Sequence, residues 1–285
     1  KSSYRTKGRG GKESLTEGTN LPNGVIVHFN IKCFDPDKDK VSLHFKEQDG
    51  TLIKTYNSFD DDNKLDVNSG GNTFVWNTLY EGAETLDSMI FWSASFSGAK
   101  AVPGKYKVVL EKNSENQEQD FEILPDPRAE VTVSQMRLQF DFVNKVNSTV
   151  DKAHKAIKNI RNIRTKLEEF NSNFSDNEIV GSLIDKAKAL NSSLTDIEKA
   201  LYQTKNKSRQ DPLNFPIKLT NKLGHLNSLV TNNDFPPTDQ DELVRKELTE
   251  EVKKHLAKYE KLISQDLKNF NKEFANLNLD YLKIK

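Results

Sequence analysis

Leu124-Pro125-Asp126-Pro127-Arg128 divides the chain into two kinds of sequence. Each proline fixes φ near about −65° and biases the preceding residue to extended geometry, so neither a helix nor a strand ladder runs through this stretch. Before it, Gly, Asn, Asp and aromatic residues punctuate short β-type runs. After it, Gly is almost absent and apolar residues fall at helical spacing. The pattern predicts an all-β region followed by an all-α region. The expected parts are a linker or detached loop over 1–20, an immunoglobulin-like β-sandwich over 21–123, a Pro-containing linker over 124–133, an antiparallel four-helix bundle over 134–277 and a tail over 278–285.

Working back from the boundary, Val25, Val27, Phe29 and Ile31 alternate on one face, as do Val41, Leu43 and Phe45. Gln48-Asp49-Gly50-Thr51 is a hairpin signal leading into Leu52–Tyr56. Asn68–Asn72 turns into Thr73-Phe74-Val75-Trp76, Pro103-Gly104 turns into Tyr106–Leu110, and Phe121-Glu122-Ile123 closes the set. About seven short strands with turns every 8–12 residues or so suit an immunoglobulin-like sandwich. Met89-Ile90-Phe91-Trp92 is an exception: four consecutive apolar residues cannot share one sheet face, so something else must cover some of them. Residues 1–20 are polar, basic and Gly-rich, with too little apolar surface to offset the entropy of ordering.

Working forward, a first helix is expected from Ser134, as N-cap, to Phe170. Its seam runs Val143, Val146, Val150, Ala153, Ile157, Ile160 and Leu167, broken by Arg164. Ser175 and Glu178 read as a capping box for a second helix holding Leu183, Leu190, Leu194 and Leu201. Pro216 suits the first turn of a shorter third helix, and Pro236-Pro237-Thr238 ends one element and caps the next. The last helix carries Leu248, Val252, Leu256, Ile263, Phe270 and Phe274.

Charge excludes some functions. Lys+Arg and Asp+Glu are each 42 in 285 residues, so the net charge is zero, against non-specific binding to nucleic acid or an anionic membrane. The charge is unevenly spread: +3 over 1–20, −7 over 21–128 and +4 over 129–285. No apolar run approaches the roughly 20 residues of a membrane helix. Cys33 is the one cysteine, which rules out an intrachain disulfide and a multi-cysteine zinc site. The opening Lys1-Ser2-Ser3-Tyr4 reads as the start of a fragment or processed piece of something larger.

No catalytic motif emerges. Asp35-Pro36-Asp37-Lys38-Asp39 begins like a calcium loop, but the sixth and twelfth positions are Lys40 and Lys46 instead of Gly and Glu. His28, His44, His154, His225 and His255 form no i, i+4 pair, and surface or edge positions explain all five. No nucleophile elbow, P-loop or dinucleotide fingerprint occurs, and no cofactor is expected; Gly8-Arg9-Gly10-Gly11-Lys12 lacks the strand and helix of a phosphate cradle. Trp76 and Trp92 could stack on a sugar. Trp76, in a short apolar strand, reads as core, leaving Trp92 as the carbohydrate candidate. The connection Thr204–Pro216 carries Lys205, Lys207 and Arg209 and then Phe215. It is longer than a helix–helix connection needs, and it reads either as a solvated loop or as a docking loop for an acidic surface.

Gly71–Asn77 followed by Ala101–Tyr106 resembles the immunoglobulin-like module of flagellar hook-capping proteins. Leu124–Arg128 with Gln139–Phe142, and Leu201-Tyr202-Gln203 with Asp211–Ile217, resemble the C-terminal region of bacterial BNR-repeat proteins of the VPS10/sortilin-like β-propeller type, often labelled glycosyl hydrolases. The resemblance implies that any hydrolase activity belongs to a propeller outside this chain, which lacks the Asp-box motif. The chain itself is then expected to be no enzyme, but a scaffold or interaction region at the C-terminus of an exported bacterial protein. That protein would sit in the periplasm, at the cell surface or outside the cell. Its partner would be the missing propeller or another envelope protein, with neither nucleic acid nor membrane insertion involved. The alternative is a carbohydrate-binding accessory module of a glycoside hydrolase. A third reading, an enzyme in its own right, requires paired carboxylates in a cleft.

Overall fold

The computed structural model describes residues 21–175 and 178–277, Glu178 by its backbone alone. The expected linker 1–20 and tail 278–285 lie outside the described residues. The chain forms two antiparallel sheets followed by a helical region, and it divides into two compact units. One unit holds the described residues up to Gly82 together with Ser97–Phe140. The other holds Ala83–Phe96 and the described residues from Asp141 onward. The division therefore does not follow the proline boundary: 83–96, expected within the sandwich, belongs to the helical unit.

In the sheet unit, β1 (Val25–Ile31) pairs antiparallel with β4 (Gly70–Trp76). A second sheet, in the order β3-β2-β5-β6, comprises β2 (Val41–Glu47), β3 (Leu52–Asn57), β5 (Gly104–Lys112) and β6 (Glu115–Ile123). One apolar core serves both sheets. Val41, Leu43, Phe45 and Trp76 have no exposed surface, and Trp76 stacks on Phe45 with ring centroids 4.5 Å apart. Trp76 is thus core, as its strand predicts. Gly50, at φ +93°, supplies the left-handed residue of the β2–β3 hairpin. The β6 strand starts well before the expected Phe121, because Glu115–Asp120 is an exposed polar edge that carries no apolar alternation. Charged edge strands resist pairing with other chains.

The helical unit takes most of α1 (Val133–Asn173), then α2 (Gly181–Leu201), α3 (Leu219–Val230) and α4 (Asp239–Lys261). A π-helical stretch, Leu262–Leu267, carries α4 straight into α5 (Lys268–Asn276). The heptad positions Val143, Val146, Val150, Ala153, Ile157 and Ile160 are buried as expected. Arg164 breaks the seam for a reason. Glu198 of α2 is 3 % exposed and lies between Arg161 Nε at 2.7 Å and Arg164 Nη1 at 2.8 Å. A carboxylate that deep requires such partners.

Helix starts differ from expectation in three places. Thr132, not Ser134, caps α1: its Oγ1 accepts from Gln135 N–H at 3.3 Å, and Gln135 Oε1 accepts from Thr132 N–H at 2.9 Å. The second helix begins at Gly181 after a 3-10 turn, with Val180 at its N-cap instead of Ser175; the side chain of Glu178 lies outside the described residues. Pro216 precedes α3 by three residues, leaving Lys218 as N-cap. At the fourth, Thr238 forms the capping box the prolines announce, with Asp241 as its partner.

Candidate functional site

The stretch Met89–Trp92 is covered by helices. Leu86, Met89, Phe91 and Phe96 pack against the helical core, while Trp92 stays 40 % exposed. The segment Ala83–Phe96 has no helix or strand of its own, so its backbone must find partners elsewhere. Two bonds close within it, Ala83 N–H to Phe96 O at 2.8 Å and Met89 N–H to Leu86 O at 3.2 Å; side chains of α1, of α3 and of the stretch after α2 supply others. Asp151 Oδ1 accepts from Glu84 N–H at 2.7 Å, and Tyr202 Oη accepts from Ile90 N–H at 2.8 Å. Asn206 Nδ2 donates to Ile90 O at 3.3 Å. Asn221 grips Trp92 at both groups: its Oδ1 accepts from Trp92 N–H and its Nδ2 donates to Trp92 O, each at 2.8 Å. His225 and Ser228 both reach Ser93 O, and Ser95 N–H donates to Gly224 O. Gly224 is required by proximity, since a Cβ there would stand 2.6 Å from Phe96 Cε1 and 2.8 Å from Ala94 Cβ.

The strap so held forms one wall of an open groove of about 500 Å³, lined by Met89–Ser93 on one side and Arg209 and Gln210 on the other. Two residues singled out in the sequence for different reasons, Trp92 and Arg209, therefore meet at one site. Lys205 and Phe215 meet each other instead, with Nζ 5.5 Å from the ring centroid, a cation–π distance. Lys205, Lys207 and Arg209 are all exposed and Phe215 is half-buried.

The connection itself is built around Asp211. Its carboxylate accepts from the N–H groups of Lys207 and Ser208 and from the Ser208 hydroxyl. Those backbone donors hold the Asp211 carboxyl below the usual carboxylate range. Gln203 fastens the far end by donating to Pro216 O at 2.9 Å.

The acidic turn at Asp35 is likewise spoken for by its own chain. Asp39 accepts from Asp35 N–H at 3.0 Å and from Asn113 Nδ2 at 3.1 Å, and pairs with Lys112 at 3.0 Å. These bonds, the Asp35 N–H first, bring the Asp39 pKa down to about 2. Among the described residues no group of three or more His, Cys, Asp or Glu is arranged to hold a metal ion.

His154 departs from its expected surface or edge position: it has no exposed surface and lies beneath the strap. Sequence reasoning also gave no weight to Tyr202, Asn206, Asn221 and Gly224 as strap holders. The clue available was the aperiodic apolar run 89–92, which called for a cover without saying which residues provide it. No helix among the described residues is long and apolar enough to cross a membrane. Compared with known proteins, the chain matches no family model, no curated protein and no solved structure.

Proposed function

We propose that this chain is a non-catalytic interaction region of an exported bacterial protein that also carries a β-propeller. The observation that carries this reading is the groove beside Trp92. Its lining offers an exposed indole, three further apolar side chains, the Ser93 hydroxyl, a guanidinium and an amide, and contains no carboxylate or imidazole. Such a set holds a partner by apolar contact and hydrogen bonding. The neighbouring cations of the 204–216 connection favour an acidic partner surface, with Phe215 adding apolar contact. The resemblance to the C-terminal region of BNR-repeat, sortilin-like proteins gives the context, and the propeller of the same protein is the first partner to test.

The fold supports an immunoglobulin-like sandwich followed by a four-helix bundle. Strand orders β1-β4 and β3-β2-β5-β6 suit the two sheets of such a sandwich. So does Tyr106, near the start of β5, whose hydroxyl donates back to Val102 O at 2.6 Å as a tyrosine corner does. For the bundle, α1 to α5 share one apolar core.

The test is charge reversal at Lys205, Lys207 and Arg209, read by titration against the separately expressed propeller at low salt, where exposed charges act most strongly. Weakening by tenfold or more supports the reading. Unchanged affinity, or no binding by the wild type, refutes it for that partner. A second reading, carbohydrate binding, draws on the 40 % exposure of Trp92 at the groove. Binding on a glycan array that Trp92→Ala abolishes would favour it over the first.

A further inference from the structure

The strap Ala83–Phe96 is held in a conformation its own sequence does not favour. Ser88 and Ser93 sit at φ +68° and +46°, which side-chain-bearing residues keep when their surroundings over-determine them. Beneath it, His154 Nδ1 meets the Glu84 carbonyl oxygen, so the ring proton resides there and Nε2 is a bare lone pair. Nε2 is buried and, among the described residues, has no hydrogen-bond partner. The rings of Phe91 and Phe96 cover the imidazole at centroid distances of 5.7 and 5.5 Å. A neutral imidazole fits this place. An imidazolium would direct a second N–H where nothing accepts it, at the cost of a buried unpaired donor.

The charged groups around it are already engaged. Glu84, on the strap, pairs with Lys158 at 2.9 Å, with Lys155 also nearby. Asp151 accepts from the Glu84 N–H. From α2, Glu198 is taken by Arg161 and Arg164, and just beyond it Tyr202 accepts from Ile90 N–H. From α3, His225 faces Ser93 O. We propose that His154 is a proton-sensitive latch: neutral, it holds the strap across the helices; protonated at Nε2, it releases it.

The sign follows from linkage. Burial pushes the His154 pKa below the usual histidine range, against the opposing pull of Glu84 and Asp151. The released strap therefore binds more protons than the docked one. Protonation does not oppose docking above about pH 6.5, and docking weakens as pH falls below it. The docked-to-released ratio drops up to about tenfold per pH unit, until the depressed docked value is reached. His255 on α4 is also pushed down, by burial and Lys258, so its contribution must be separated.

The experiment is hydrogen exchange of the full chain, followed on peptides spanning 84–96 and corrected for the intrinsic pH dependence of exchange. Protection should fall by up to about tenfold between about pH 6.5 and 5.5. His154→Phe and His154→Asn should each give a pH-independent strap, while His255→Asn should respond like the wild type. An unchanged wild-type strap across this range overturns the proposal, whatever the variants do. So does the same acid response in both His154 variants.

Discussion

Two irregular segments of the helical unit, 83–96 and 204–216, satisfy their backbones in opposite ways. The connection does so from within: Asp211 and Gln203 bind groups no more than 13 residues away. The strap closes two backbone bonds within itself but otherwise relies on side chains of α1, α3 and the stretch following α2, with Asn221 reaching Trp92 across 129 residues. The connection can take its shape as soon as it is made, whereas the strap has a shape only when the helices exist. In return, the helices need the strap to cover Phe91-facing and Phe96-facing parts of their core.

That difference makes the strap the more sensitive of the two. The largest effect should come from removing it. A chain beginning at residue 124 keeps every helix but lacks Leu86, Met89, Phe91 and Phe96. Each such side chain contributes on the order of 1–2 kcal/mol when largely buried, so together they approach the net stability of a small domain, about 5 kcal/mol. Its helical circular dichroism should melt broadly and early, or not cooperatively; a sharp transition at the full chain's temperature would break the comparison. Gly224→Ala comes next. The added methyl must push Phe96 and Ala94 aside, with an expected loss of about 1–3 kcal/mol in chemical denaturation.

Asn221→Ala and Asp211→Ala sharpen the contrast directly. The first strands two strap groups and should cost about 1–3 kcal/mol, with faster amide exchange at Trp92. The second frees exposed groups that water can take over, and its effect on the melting temperature should be slight. Equal losses would show that the connection is as structural as the strap. The smallest effect belongs to the sheet unit. With its pKa lowered from 3.8 to about 2, Asp39 stabilises above about pH 4, and that contribution is lost as pH falls from 4 towards 2. Asp39→Asn should flatten the acid limb of unfolding within that window while leaving neutral pH nearly unaltered in slope.

The contrast between local and distant partners also explains what could be read in the sequence. The alternation of Val41, Leu43 and Phe45, the heptads of α1 and the Thr238 cap are rules about neighbours, and each is legible. Arg164 could be seen to interrupt a seam, but its partner Glu198 is on another helix. Of the candidate site, Trp92 and Arg209 were visible as residue types; that one groove holds both was not. His154 looked ordinary because its surroundings, Glu84, Phe91 and Phe96, lie roughly 60–70 positions earlier. Nothing in a periodicity reports such a pairing.

The division of the chain into 83–96 and 141 onward has a consequence for biosynthesis. At roughly 5–20 residues per second, Trp92 leaves the ribosome on the order of 10 s before Asn221. During that interval α1 and α2 emerge, but Phe96 still lacks the cover that Gly224 of α3 provides. Nascent chains of this length are therefore natural clients for a chaperone, and a stall within α2 should leave them most prone to stick to one another.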